Sequence, residues 1–203
     1  MGEIHSKKKF KNFKIDTFNI TLLGILTAIV ILLQTLGANI RFGPFSVTLV
    51  LLPIVIGAAL IHPLAGGWLG LVFGVIVLLT DASAFLAINI IGTVVTVLLK
   101  GTLAGIAAGY VYRLIAKHNR IIATFAAAVI TPIVNTGVFI AGTYIFFLPT
   151  IKSWALEAGF ANATTFIFIV LVGWNFVLEF AVNLVLSPTI TFLIQYGRKR
   201  KRT

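Results

Sequence analysis

The sequence predicts an all-α integral membrane protein, a bundle of six transmembrane helices with both termini cytoplasmic. Three observations carry that prediction. The first is composition: of 203 residues, 59% are hydrophobic and 10% charged, with a mean hydropathy of +1.08, more apolar surface than one soluble core could hide. The second is length: apolar runs above about 18 residues, enough to cross a bilayer core, recur along the chain. The third is where the net charge of +11 sits. Lys7, Lys8, Lys9, Lys11 and Lys14 precede the first apolar run; Arg113, Lys117 and Arg120 bracket a central gap; Arg198, Lys199, Arg200, Lys201 and Arg202 come last. These thirteen of the sixteen basic residues mark one side of the bundle, and the positive-inside rule makes that side cytoplasmic. The same clustering assigns the charge to anionic membrane lipid, with no nucleic-acid partner expected.

The elements follow in order. Spans are predicted near 18–37, 46–61, 66–80, 87–115, 121–147 and 164–194, within a single membrane domain 1–203 that has a basic N-terminal tail (1–16) and a basic C-terminal tail (195–203). Residues 1–35 imitate a secretory signal, but no A-x-A-like cleavage site follows, so the segment is expected to persist as a helix. The second and third spans are short against the roughly 20 residues a bilayer requires; the last three are long and are expected to tilt or project. Pro44 and Pro53 flank or interrupt span two, Pro132 lies in span five and Pro188 in span six; membrane helices tolerate such prolines as kinks. The turns at His62-Pro63 and Lys117–Arg120 face the cytoplasm. Segments 38–45, 81–85 and 148–163 lie outside, and the last, with Pro149, Trp154 and Gly159, reads as a structured loop or short interfacial helix.

Small residues supply packing surfaces. Gly66, Gly70 and Gly74 fall four apart, as do Gly101, Gly105 and Gly109, and Gly24 and Ala28 in the first span. Such ridges let helix backbones approach closely. For the two glycine triplets the expectation is packing within the bundle, whereas Gly24 and Ala28 are candidates for a partner helix.

Polar residues inside spans are costly and mark pathways or sites. At 1.5 Å per helical residue, Lys100 lies about 20 Å from Arg113 and Asn135 about 22 Å from Arg120. Glu179 lies about 24 Å, and Asn183 about 18 Å, before Gln195. Four polar side chains from three helices thus reach one level in the outer half of the membrane. Thr93, Thr96 and Lys100 share a helix face, as do Thr131 and Asn135, and Asn175, Glu179 and Asn183. The arrangement divides the chain into a packing half, spans one to three, and a polar-lined half, spans four to six. Two readings stay open: a structural Lys100–Glu179 ion pair, or a water-accessible pocket facing outward for a small polar solute. Arg41, in the first outer loop, is a second cation that could meet an anionic solute.

Several chemistries are not expected. No G-x-x-x-x-G-K-[ST] run is present for ATP binding, and no His/Asp/Glu cluster has metal-ligand spacing. Cysteine is absent, which removes thiolate chemistry and disulfides. The serines lack a plausible base at membrane depth. The chain is not expected to be an enzyme or to carry a cofactor or metal.

The stretches FGPFSVTL, AFLAIN and PIVNTG, set in a six-span layout, resemble the substrate-binding S component of an energy-coupling factor (ECF) vitamin transporter. The similarity runs over nearly the whole chain and is strongest to the pantothenate-specific subfamily. It implies a bacterial cytoplasmic-membrane protein whose outward ligand site is built by the later helices and outer loops. The implied partners are a transmembrane coupling subunit and two ATPases. The family pattern in the first span is a pair of alanines four apart that touch the coupling subunit; Gly24 and Ala28 match it with one Gly-for-Ala departure. The loaded subunit is thought to topple in the membrane and so deliver its ligand inward. The substrate-binding set expected on these grounds is Arg41, Asn89, Thr96, Lys100, Asn135, Asn175, Glu179 and Asn183. Alternatives are another water-soluble vitamin of pyridoxine or hydroxymethylpyrimidine type, a stand-alone proton-coupled transporter using Glu179 and Lys100 as its relay, and a non-transporting scaffold.

Overall fold

Asparagines and prolines set where the helices begin. In a computed structural model that describes residues 16–39, 41–42, 45–46 and 49–200, helix α1 covers Thr17–Asn39 and is followed by two-residue strands β1, Arg41–Phe42, and β2, Phe45–Ser46. Next come α2 (Leu51–Leu60), α3 (Pro63–Thr80), the short α4 (Ser83–Leu86), α5 (Ile90–Ile115), α6 (Arg120–Phe146) and α7 (Leu148–Glu157). Helix α8 (Ala163–Phe166) runs through a π-helical segment, Ile167–Gly173, into α9 (Trp174–Arg200). The Asn89 carboxamide accepts from Gly92 N–H at 2.8 Å; Asn119 accepts from Ile121 and Ile122 N–H at 2.8 and 3.1 Å; Asn162 accepts from Thr165 N–H at 2.8 Å. Each satisfies helix N–H groups that have no intrahelical acceptor. Proline occupies the first turn of α3 and of α7, where its missing N–H costs nothing.

Among the described residues, five stretches are long and apolar enough to cross a membrane: α1, α3, α5, α6 and the α8–α9 run. The chain is therefore a multi-pass helical membrane protein. Of the second predicted span, 46–61, the described residues form the ten-residue α2, about 15 Å long; Ser46 belongs instead to the β1–β2 ladder, which pairs Arg41 with Ser46 and Phe42 with Phe45. The first, third, fourth and fifth predicted spans match their helices to within a turn, whereas the sixth, 164–194, continues to Arg200, so α9 takes in most of the C-terminal tail predicted at 195–203. The 148–163 segment contains α7, and Pro132 and Pro188 lie inside continuous helices. The basic tails at 1–15 and 201–203 lie outside the described residues, as do positions 43, 44, 47 and 48 of the FGPFSVTL stretch.

The glycine triplets account for the most extensive packing, α3 against α5. A β-carbon on Gly66 or Gly70 would strike the carbonyl oxygens of Gly105 and Gly101 respectively, and one on Gly74 would lie 2.9 Å from Val97 O. The two helices run antiparallel with backbones in contact, a separation only glycine permits. Apolar clusters then fill two levels. Ala58, Ala108, Tyr112, Ala127, Ile190 and neighbours pack near the α2–α3 and α5–α6 turns, while Leu26, Val30, Leu51, Leu69, Phe73 and Val97 join α1, α2, α3 and α5. At the opposite end a third cluster, Phe147, Ile151, Ala155, Phe166 and Ile167, seats α7 against the α8 region. We call the end carrying Arg113, Lys117 and Arg120 the basic end, and its opposite the far end.

Candidate functional site

Between these packed levels, toward the far end, lies a void in two lobes. The larger, of about 260 Å³, is bounded by α1, α3, α5, α6 and the α8–α9 run, and holds Gln34, Asp81, Thr93, Thr96, Lys100, Asn175 and Glu179 among apolar walls. The smaller, about 100 Å³, is lined by Lys100, Asn135, Thr136, Asn175, Phe176 and Glu179. The lobes share Lys100, Phe139, Leu171, Asn175 and Glu179. Together they sit at the small end of ligand pockets, which span about 300–1,000 Å³.

Lys100 reaches this level because the α5 register that puts glycines toward α3 puts Thr93, Thr96 and Lys100 toward the void. Its ammonium lies 5.6 Å from the Phe73 ring centroid and 5.5 Å from that of Phe139, so two aromatic faces compensate part of its lost hydration. Glu179 is 6% exposed. Two carboxylates, Asp81 and Glu179, and one ammonium line the larger lobe.

Amide groups complete the polar surface. Asn135 Oδ1 and Asn175 Oδ1 are buried without a hydrogen-bond partner, as is Thr96 Oγ1. Buried polar atoms are seldom left unmade, and orphans grouped around a void are what a polar solute would satisfy. The wall continues through the π-helical segment: Leu171, within it, is followed by Asn175 and Glu179 at i+4 and i+8. Such insertions cluster at functional sites.

The predicted residues divide three ways. Thr96, Lys100, Asn135, Asn175 and Glu179 are brought together. Asn183 lies one turn deeper, 1% exposed, with its Nδ2 donating to the Glu179 carbonyl at 2.8 Å; it supports the Glu179 turn and lines neither lobe. Asn89 is likewise absent from both linings, because its carboxamide is committed to capping α5. Arg41 belongs to β1, and its side chain lies outside the described residues. Gly24 and Ala28 fall on an exposed face of α1, where a β-carbon added at Gly24 meets nothing within 4 Å.

Sequence reasoning missed Gln34, Asp81 and the aromatic walls. The proposed division into a packing half and a polar half is corrected accordingly: α1 supplies Gln34 and α3 supplies Phe73 and Val77, with Asp81 following it. Phe85 packs edge-on against Phe139, Phe147 and Trp154 at 5.8, 5.1 and 5.8 Å, closing the far-end side. Among the described residues no cluster of His, Asp and Glu could hold a metal ion.

A comparison with curated proteins finds no match. A family profile, that of the ECF transporter substrate-specific component, matches residues 18–194. That match takes in every helix around the void, and it settles the class: the chain belongs to the ECF transporter substrate-specific component family, a family of transport components rather than enzymes.

Proposed function

We propose that this chain is the substrate-capture subunit of an ATP-driven vitamin importer and that its solute is pantothenate. The observation that carries the reading is the polar void itself, lined by Lys100 and by asparagines whose buried amide oxygens have no hydrogen-bond partner. Lys100 meets the solute's carboxylate, and Asn135 and Asn175, which can both donate and accept, meet its amide and hydroxyl groups. Thr96 adds a hydroxyl, and Arg41 a second cation. In this reading α2 completes a set of six spans, the basic end is cytoplasmic, and the void opens outward in a bacterial cytoplasmic membrane. A coupling subunit docks on the Gly24–Ala28 face of α1, and two ATPases drive delivery inward. These features draw support from the family assignment and from the charge pattern of the chain.

One observation favours a second reading. Two carboxylates outnumber the ammonium, and rings of Phe73, Phe85, Phe139 and Phe147 wall the larger lobe, an environment suited to a neutral ring vitamin of pyridoxine or hydroxymethylpyrimidine type. Calorimetry of the purified chain against a panel of water-soluble vitamins separates them. Tightest binding of pantothenate is expected, and preference for a ring compound transfers the assignment to the second reading. A chain that binds none of the panel overturns both.

A further inference from the structure

Gln34 is an amide on a helix otherwise rich in apolar residues, and it is 2% exposed. Its Nε2 donates to Asp81 Oδ2 at 2.7 Å, an oxygen that also accepts from Thr80 Oγ1 at 3.1 Å. A carboxylate only accepts, so this bond fixes which way round the amide sits. The NH₂ group faces Asp81 and Oε1 is turned away from it. That oxygen is buried with no hydrogen-bond partner. Gln34 and Asp81 both line the larger lobe, which extends to Lys100 and Asn175, and neither lines the smaller one. They therefore occupy a part of the void distinct from the Asn135 side.

We propose that Gln34 Oε1, oriented by Asp81, is a specificity-determining acceptor that takes an O–H or N–H donor of the bound solute. The proposal rests on the reading of this void as a vitamin site and narrows the ligand's chemistry. The solute carries a hydroxyl or amine at one end, in addition to the group that meets Lys100 or the asparagines. Asp81 is a positioning residue: as a carboxylate it forbids the amide from turning over and presenting its NH₂ to the void. Because that oxygen is buried with no partner, a solute that brings no donor to it leaves it unsatisfied and binds less tightly.

The test pairs a variant with a ligand change. Pantothenate, pyridoxine and hydroxymethylpyrimidine each carry hydroxyl groups; the one that binds the wild-type chain most tightly is measured beside its dehydroxylated analogues. At least one analogue should bind wild type about tenfold more weakly. Gln34→Met should weaken the parent vitamin by a similar factor and leave that analogue's affinity unchanged. Asp81→Asn, which keeps the side-chain shape and lets the amide turn over, should also weaken the parent more than the analogue. Equal binding of parent and analogues to wild type overturns the proposal even where neither variant folds. So does an equal loss for both compounds in Gln34→Met. If pyridoxine or hydroxymethylpyrimidine wins the wild-type comparison, the pantothenate assignment fails while the cycle still decides the acceptor. If pantothenate wins but Gln34→Met is silent, the acceptor fails alone; binding of none of the three sinks both.

Discussion

Lys100 places its Nζ at membrane depth between two phenyl faces, in a lobe that Glu179 and Asp81 also line. Aromatic faces stabilise an ammonium by about 0.5–2 kcal/mol, too little by themselves to offset its desolvation, and in the proposed reading the solute's carboxylate adds to that compensation. Wild type should then prefer pantothenate to the corresponding alcohol by about 10–100-fold, the range for hydrogen bonds to charged groups. Lys100→Met should erase that preference, and Glu179→Gln should retain it. If each single change harms folding while the double variant restores it with affinity unaltered, the two residues are a structural pair and the site assignment to Lys100 falls. The sequence exposed Lys100 because a charge inside an apolar run stands out, and depth counting brought Asn135 and Glu179 to its level. Gln34 was not legible, since its neighbours at helical spacing, Val30, Ile31, Gly37 and Ala38, are not polar and form no stripe with it. Asp81 ends a helix, where a polar residue carries no information. The phenylalanines that wall the void cannot be told by type from those that face lipid.

At the scale of elements, the glycine triplets were readable as a close helix contact, and α3 against α5 is that contact. The π-helical turn was not readable: Ile167–Gly173 is apolar all round, so a register shift leaves no trace in its hydrophobic pattern. Span two was placed too early at its start, where Ser46 pairs with Arg41 in the β1–β2 ladder. Helix starts were better marked, and one of them gives a pH dependence. His62 caps α3 by accepting Leu64 N–H on Nδ1 at 3.2 Å. Partial burial, and then the nearby Arg113 charge, hold its pKa below the ordinary histidine value of 6.5. A folded-state pKa below the unfolded one means the unfolded chain takes up the proton first. The contribution is thus complete above about pH 6.5 and is lost as pH falls through the lowered value. Protonation also turns Nδ1 from acceptor into donor and removes the cap. Thermal stability in detergent should therefore decline from pH 7 to pH 5, and His62→Asn, which keeps an acceptor without titrating, should flatten that decline. An equal decline in the variant would show that other groups set it.

At the scale of the whole molecule, the two proposed duties lie on different surfaces. The polar void is enclosed by α1, α3, α5, α6 and the α8–α9 run, whereas Gly24 and Ala28 sit on the outer side of α1, beside exposed Ile25, Ile29, Leu32 and Leu36. Lipid tails match that apolar face as well as a protein does, so apolar character alone cannot select a partner there; close backbone approach at small residues can. The space beside Gly24 is open, which means a larger side chain fits the isolated chain without disturbing its core. Gly24→Leu combined with Ala28→Leu should consequently leave fold and vitamin affinity within about twofold of wild type, because no group lining the void is touched. The same pair should abolish co-purification with the coupling subunit and ATPases, and with it ATP-dependent uptake in vesicles. Binding and transport are thereby separated in one variant. Retained assembly with lost vitamin affinity would reverse the assignment, placing α1 in solute capture and moving the docking face elsewhere on the bundle.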